Sequence, residues 1–283
     1  MEMKKEMSLN LCELFNVLYK EYGSVDEIVK KSGIATESNF ARIYIGSYFC
    51  EVYFIQSMET TLANIERYAL DNRMRITLVI PIFTQSHLQK GLQIINTILD
   101  KFSLIDEVVV NDYGILNYIN LNYNIEIIIG RLLRKRARDY RYPEYIKSKE
   151  YAETKELYRK YARVKGVEID VTSQEIELSD FALLYLPCIH MPFTYLTCGQ
   201  LCDFASLDLD IFQKFNSNNE CNLNCNKLYY IYRTETEHNL YRIGKAVYYE
   251  TPKNQILKGD KVRVVYFPFD LWEKNYEYFG SDK

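Results

Sequence analysis

The sequence lacks the motifs of several common enzyme classes. It contains no Gly-rich phosphate loop after its first predicted strand, no H-E-x-x-H and no G-x-S-x-G, and it has only 3 histidines in 283 residues. It also lacks a long apolar run, since the stretch from Phe181 to Leu196 is broken by two prolines and a histidine and is too short to span a bilayer. No secretory signal is visible. We therefore expect a soluble, cytoplasmic protein without membrane insertion.

A strong excess of positive charge is also missing from the chain as a whole. The 35 Lys and Arg residues are outnumbered by 38 Asp and Glu, which gives a net charge of -3 and argues against a wholly basic nucleic-acid binder. One segment differs: Arg131 to Lys165 holds 13 basic and 5 acidic residues, a balance of 13 − 5 = +8. It is either a site for an anion, a nucleic acid or an acidic partner, or a solvated helix face. Arg131 and Arg134 are the best binding candidates because they directly follow a predicted strand.

Apolar, β-branched runs alternate with helical patterns over the first two thirds of the chain. The predicted strands are 41–45, 75–81, 107–111, 124–129, 166–171 and 181–187. Apolar residues at three- and four-residue spacing predict helices over 9–22, 25–31, 60–71 and 86–101. This alternation predicts an α/β fold with a parallel sheet, and a TIM-barrel-like parallel barrel, complete or incomplete, fits better than a doubly wound sheet.

The carboxyl-terminal part follows a different pattern. Residues 227–233, 241–249 and 261–267 alternate and are rich in Tyr and Val, which predicts antiparallel strands or hairpins. We therefore predict a single domain over 1–283. Residues 1–38 form a helical lead-in, 40–226 the barrel core, and 227–283 an antiparallel β extension.

Seven cysteines are an odd number, in a long chain without a visible signal peptide, and they favour metal binding or redox chemistry over disulfides. Two pairs share the spacing C-x-x-x-C, Cys198/Cys202 and Cys221/Cys225. Spacing alone suggests a structural zinc site on these four residues or an iron–sulfur cluster. Cysteines that merely pack are the remaining alternative.

Four segments, in this order along the chain, resemble the peptidase family U32-like proteins. They are Arg42-Ile43-Tyr44-Ile45-Gly46 followed by Cys50, the strand and turn EVVVNDYGIL at 107–116, HMPFTYLTC at 190–198, and NECNLNC at 219–225. Within that family the sequence is most similar to the short accessory proteins of oxygen-independent ubiquinone hydroxylation, which carry a [4Fe–4S] cluster. The resemblance covers roughly residues 40 to 230.

The resemblance implies a cluster on Cys50, Cys198, Cys221 and Cys225, with Cys50 following the first strand. Cys202 and Cys12 have no counterpart in that pattern, and Cys188 lies near where other branches place a ligand. Spacing thus favours Cys202 as the fourth ligand and the resemblance favours Cys50, which we adopt because barrel sites gather at the carboxyl ends of strands.

The implied function is an oxygen-independent hydroxylation or related anaerobic modification, with the chain as catalyst or as one subunit of a heteromeric pair. The alternatives are a U32-type peptidase and a non-catalytic subunit that binds a peptide or RNA. The substrate, whether a small molecule, a peptide or RNA, is left open, as is the catalytic residue.

Three further polar residues are candidates for the site. Asn111 and Asp112 end a buried strand, where they either recognise substrate or set the turn. His190 is expected as a buried group near the cluster.

Overall fold

The computed structural model describes most of the chain, and every structural statement below concerns the described residues. These are residues 4–36, 39–138, 158–171, 185–199, 202–206, 209–210, 212–213, 221–226, 228–233, 239–251, 261–268, 271 and 277–278.

Eight parallel strands close into a barrel, and two of them, at residues 4–10 and 261–266, were not predicted as barrel strands. They are β1 (Lys4–Asn10), β2 (Arg42–Gly46), β3 (Arg75–Ile80), β4 (Ile105–Val110), β5 (Glu126–Ile129), β6 (Val164–Asp170), β7 (Leu186–Met191) and β12 (Lys261–Tyr266). Their order around the barrel is β1-β12-β7-β6-β5-β4-β3-β2. Every neighbouring pair is parallel. The TIM-barrel-like fold class is therefore confirmed, and the barrel is complete.

Helices cover the outside of the first half of the barrel. They are α1 (Phe15–Tyr22), α2 (Val25–Thr36), α3 (Glu51–Asp71), α4 (Gln85–Lys101) and α5 (Tyr113–Asn122). Helix α3 packs on β2 and β3, and α5 packs on β4, so β3 and β4 are buried almost throughout, which explains their continuous apolar runs. Helix α2 continues through Gly33, where the sequence predicts an end. No helix within the described ranges is long and apolar enough to cross a membrane.

A small second sheet follows the seventh barrel strand and takes the place of a helix there. It contains β8 (Phe193–Cys198), β9 (Leu228–Arg233), β10 (Asn239–Ile243), β11 (Ala246–Glu250) and β13 (Glu277–Tyr278), in the order β13-β9-β10-β11-β8. The pairs β9/β10, β10/β11 and β11/β8 are antiparallel, as predicted for this region, whereas β13 joins β9 in parallel.

The two ends of the chain differ from the sequence-based prediction. Residues 4–10 form β1 instead of belonging to a helical lead-in, so the strand before Cys50 is the second strand and not the first. Residues 261–266 form β12, which lies between β1 and β7 in the barrel and does not belong to the antiparallel extension. Both ends of the sequence are therefore needed to close the barrel.

The sequence did not predict β1 and β12 as barrel strands because both contribute to a charged network inside the barrel, near the amino ends of its strands. Arg263 lies 2.7 Å from Glu6 and 2.6 Å from Glu107, and Arg42 pairs with Asp106 at 2.5 Å. Glu6 in β1 and Arg263 in β12 belong to this network. The two strands therefore alternate between polar and apolar residues. They lack the apolar run that marks a buried parallel strand.

Candidate functional site

A narrow pocket opens at the carboxyl ends of the barrel strands, the end at which barrels of this kind carry their active sites. It is lined by residues from the β1 end, the β2 end, the β5 end, β7, the small sheet and the segment after β12. These are Asn10, Cys12, Glu13, Leu14, Tyr48, Arg131, His190, Phe193, Ile243, Tyr248 and Phe267.

A buried carboxylate, Glu168, organises one wall of the pocket. Its Oε1 accepts the hydroxyl of Tyr48 at 2.6 Å and lies 3.0 Å from Nε2 of His190, while its Oε2 accepts the backbone N–H of Arg131 at 3.2 Å. His190 and Glu168 are both 1% exposed. Burial raises the pKa of the Tyr48 hydroxyl well above its usual range, and the Glu168 carboxylate adds to this, so Tyr48 stays a hydrogen-bond donor.

Arg131 forms a closed ion pair deep in the same region. Its guanidinium donates to both carboxylate oxygens of Asp170, through Nη2 to Oδ1 and through Nε to Oδ2 at 3.3 Å. Three aromatic rings surround its Cζ, at 5.4 Å for Tyr48, 5.6 Å for Tyr195 and 5.9 Å for Tyr248. Burial opposes the charge of Arg131, but the attraction and hydrogen bonds of Asp170, together with Tyr248 and Glu168, outweigh burial and raise the pKa of Arg131. The charge predicted to attract an anion is thus already neutralised within the protein.

Glu13 connects the pocket wall to the loop after β2. Its Oε1 accepts the hydroxyl of Ser47 and the backbone N–H groups of Phe49 and Cys50, at 3.0 and 3.2 Å. Burial raises the pKa of this carboxyl group. Glu13 has a positive φ of 63°. The hydrogen bonds that Glu13 accepts from Ser47, Phe49 and Cys50 fix the backbone of the loop that ends at Cys50, the N-cap of α3.

Cys50 itself caps α3. Its Sγ accepts the backbone N–H of Tyr53 at 3.4 Å, and burial raises the pKa of the thiol to about 12. A backbone N–H that donates to sulfur also stabilises a thiolate that ligates a metal.

The other cysteines of interest reach the same end of the molecule from the small sheet and the segments beside it. Cys198 ends β8, where its Sγ accepts the hydroxyl of Tyr195 at 3.2 Å. Cys221 accepts a hydrogen bond at its backbone carbonyl from Nε2 of Gln56, at 3.5 Å. Cys225 lies in the short 3-10 helix Asn224–Asn226. Cys221 therefore lies against α3, the helix that Cys50 caps.

Electrostatic interactions link four of the thiols. Burial raises the pKa of Cys225, and the charges of Cys50, Cys202 and Cys221 raise it further. Cys202 and Cys221 interact in the same way. The structure thus gathers Cys50, Cys202, Cys221 and Cys225 into one neighbourhood, which contains both fourth-ligand candidates of the sequence.

The turn between β10 and β11 brings a positive charge to these thiols. The backbone N–H of Gly199 donates to the carbonyl of Lys245 at 3.0 Å, and Ala246 pairs with Cys198. The Lys245 ammonium lowers the pKa of Cys50 and Cys202, opposing the larger effect of burial. Cys198 thus pairs with the residue that follows Lys245, whereas Lys245 itself acts on the thiols of Cys50 and Cys202.

The thiols converge without forming a ready-made coordination sphere. All seven cysteines are free, and no three His, Cys, Asp or Glu side chains in the described part of the chain are arranged to hold a metal ion. Cys188 lies elsewhere, beside Arg263 in the charged network at 3.9 Å, and burial raises its pKa to about 12. Cys12 is buried against the pocket, and burial raises its pKa well above the usual value.

Asn111 and Asp112 have structural contacts that match their alternative interpretation as turn residues. Asn111 is buried, donates to the carbonyl of Ile80 at 3.1 Å and accepts the backbone N–H of Leu132 at 3.3 Å. Asp112 is the N-cap of α5 and accepts the N–H of Ile115 at 3.0 Å. Neither residue lines the pocket, nor does Arg134. Residues 139–157 of the basic segment lie outside the described residues.

Sequence reasoning missed Glu168 and Asp170, the two carboxylates that organise the pocket. Their signal is visible in retrospect, because G-V-E-I-D at 166–170 places two acids at i and i+2 within a predicted strand. Residues with this spacing share one face of a strand, and an acidic face inside a barrel needs partners. Glu13 and Tyr48, which lie in loops, carry no such periodicity.

Comparison with known proteins adds no identification. No known family model matches the chain, and no curated protein matches it at a significant level.

Proposed function

We propose that the chain is an iron–sulfur protein of the U32-like type. In this proposal Cys50, Cys198, Cys221 and Cys225 hold a [4Fe–4S] cluster at the barrel mouth, and the adjoining pocket holds the substrate. The reaction is an oxygen-independent hydroxylation or related anaerobic modification, performed by this chain alone or with a heteromeric partner of the same family in the cytoplasm.

The observation that supports the proposal is the approach of cysteines from distant parts of the chain, since the Cys221 carbonyl lies 3.5 Å from Gln56 Nε2 in α3, the helix that Cys50 caps. Cys50 follows β2, Cys198 ends β8, and Cys221 and Cys225 precede β9. A set of thiols is the donor chemistry that iron–sulfur clusters require, and the uncharged thiols would lose their protons on binding iron. The hydrogen bonds that reach the sulfurs of Cys50 and Cys198 would tune such a cluster.

The chain's own residues have separate tasks in this account. Glu13 and Ser47 hold the loop that presents Cys50, whereas Glu168 and Asp170 fix Tyr48 and Arg131 in the pocket wall. The aromatic rings around Arg131 limit the access of water. When bound, the cluster would supply electron transfer or activate an oxygen donor.

A structural zinc ion is a second candidate, because Cys202 lies in the same neighbourhood as Cys221 and Cys225. Four thiolates arranged tetrahedrally would suit zinc. The two candidates differ in their fourth ligand, Cys50 for the cluster and Cys202 for zinc.

The test is the iron, sulfide and zinc content of protein purified without oxygen, together with its visible absorption. About four irons and four sulfides per chain with broad absorption near 400 nm are expected for one cluster. One zinc and a colourless protein would overturn the cluster proposal and establish the second candidate. An absence of all three elements after reconstitution with iron and sulfide would overturn both.

A further inference from the structure

We propose that Cys202 and Cys225 form a redox-sensitive thiol pair, which closes to a disulfide when no metal is bound and stays open while Cys225 ligates the cluster. The oxidant is a small-molecule disulfide. The closure itself does not depend on the cluster, whereas the protection of the open pair rests on the proposed function. Cys202, which the proposed ligand set leaves over, has a role of its own in this account.

Cys202 is held at the start of a short 3-10 helix. It directly precedes Asp203–Ser206, and its carbonyl accepts the backbone N–H of Ala205 at 3.1 Å. Phe204 in this helix is completely buried, which fixes the helix on the rest of the protein. The backbone around Cys202 therefore has a defined position.

A hydrogen bond ties this helix to the one that carries the second thiol. Cys225 is the central residue of Asn224–Asn226, and Nδ2 of Asn224 donates to the carbonyl of Phe204 at 3.3 Å. The two helices pack against each other. Disulfides form between Cα atoms about 4.4–6.8 Å apart, so they require adjoining backbone segments of this kind.

Both thiols are also open to a small molecule. Cys202 and Cys225 are free and only partly buried, whereas Cys12 and Cys188 are buried. The charge of Cys202 acts on Cys225, in agreement with the contact between their helices. Of the cysteines outside the proposed ligand set, Cys202 is therefore the one placed to react with a ligand of that set.

The closure of the pair is a thiol–disulfide exchange in two steps. The Cys202 thiolate, whose sulfur accepts backbone N–H groups of Phe204 and Ala205, attacks one sulfur of the small-molecule disulfide. A mixed disulfide forms, and the other half leaves as a thiolate with the electron pair of the broken S–S bond. The Cys225 thiolate then attacks the Cys202 sulfur and displaces the second half in the same way. The two departing thiolates take up the two protons that the cysteines lost, so the pair gives up two electrons and the oxidant gains two.

The test is disulfide mapping of the full chain, stripped of metal by a chelator without oxygen and then treated with oxidised glutathione. The remaining thiols are alkylated, and the disulfides are identified by mass spectrometry of peptides. The expected product is a Cys202–Cys225 disulfide that dithiothreitol reverses. The proposal is overturned if Cys202 stays open to alkylation, keeps a bound glutathione or pairs with any other cysteine.

Variants of two asparagines test the geometry. Asn224→Ala removes the hydrogen bond between the two helices and should slow the closure about fivefold, the usual net effect of one hydrogen bond. The matched control is Asn122→Ala, which removes a similar bond from an asparagine side chain to the carbonyl of Tyr118 in α5. It should close the pair at the wild-type rate. Equal rates for Asn224→Ala and the wild type would show that this contact does not position the thiols.

The iron-loaded protein separates this inference from the proposed function. Wild type purified without oxygen should keep its iron and form little of the disulfide, because the sulfur of Cys225 is occupied. Closure at the same rate in iron-loaded and stripped protein would overturn the protection. A wild type that carries no iron would overturn the proposed function and the protection together, while the mapping of the stripped chain would still decide the disulfide.

Discussion

At the scale of single residues, the pocket depends on buried charges that are paired rather than on free ones. The guanidinium of Arg131 is 3% exposed and has Asp170, 1% exposed at its side chain, as its partner. A pair of this kind adds little net stability compared with a well-packed apolar pair, but removal of one partner leaves the other buried and uncompensated. Arg131 is therefore a residue that holds the pocket together.

The substitution Arg131→Met tests this assignment. We expect the free energy of unfolding to fall by about 3–5 kcal/mol, because the Asp170 carboxylate loses its counter-ion in a buried site. Urea unfolding at neutral pH measures the change. The matched control is Arg75→Met, whose side chain is 69% exposed and pairs with Asp106 at 3.6 Å. Its expected cost is about 1 kcal/mol or less. Equal losses in the two variants would show that Arg131 is not bound as described.

At the scale of elements, the β10–β11 hairpin has a function that its sequence alone does not reveal. Its strands were predicted from the alternation of Tyr and Val, and the antiparallel pairing is confirmed. Its turn, Gly244-Lys245, carries a positive charge to the thiols of Cys50 and Cys202. This contact depends on the return of β11 to pair with β8, a non-local arrangement that periodicity cannot predict.

Replacement of Lys245 by Ala tests the role of the turn. With the proposed cluster bound, we expect unchanged iron content and a more negative reduction potential, because the ammonium favours the more negative, reduced cluster. A spectroelectrochemical titration measures the potential. Lys261→Ala is the matched control, since it removes an exposed lysine at the amino end of β12, and its potential should equal that of the wild type. A Lys245→Ala potential that stays unchanged or rises would exclude this electrostatic role.

The elements that sequence reasoning identified correctly are those whose two faces are both apolar. β3, β4 and β5 were predicted within two residues, because they are buried between the barrel interior and the helices. β1 and β12 were assigned wrongly because Glu6 and Arg263 face a charged interior. Candidate cysteines could be named from their spacing, whereas Tyr48 and Glu13 could not, since their contacts join segments about 35 to 120 residues apart.

At the scale of the whole molecule, the barrel is closed by the two ends of the chain. β12 pairs with β1 on one side and with β7 on the other. Four strands of the small sheet, β8 to β11, thus lie between the seventh and eighth barrel strands in the chain, and β8 ends at Cys198. The same order of strands therefore closes the barrel and places the small sheet beside the candidate site.

Truncation of the chain tests this topology. A chain that ends after Glu250 keeps most of the small sheet but lacks β12, so the edges of β1 and β7 are left unpaired. We expect it to aggregate or to lose its cooperative thermal transition, as followed by circular dichroism. A chain that ends after Leu271 keeps all eight barrel strands and should retain a cooperative transition. If the shorter chain folded as cooperatively as the longer one, the carboxyl-terminal residues would be an appended extension and not part of the barrel.

The central claim is that residues from distant parts of the barrel form one cluster site with Cys50 as a ligand. The most direct measurement is the iron content, per folded chain, of Cys50→Ser and Cys202→Ser, both purified without oxygen beside the wild type. The account predicts that Cys50→Ser loses its iron while Cys202→Ser keeps nearly all of it. Full iron in Cys50→Ser, with loss in Cys202→Ser, would contradict the account and assign the fourth ligand to Cys202.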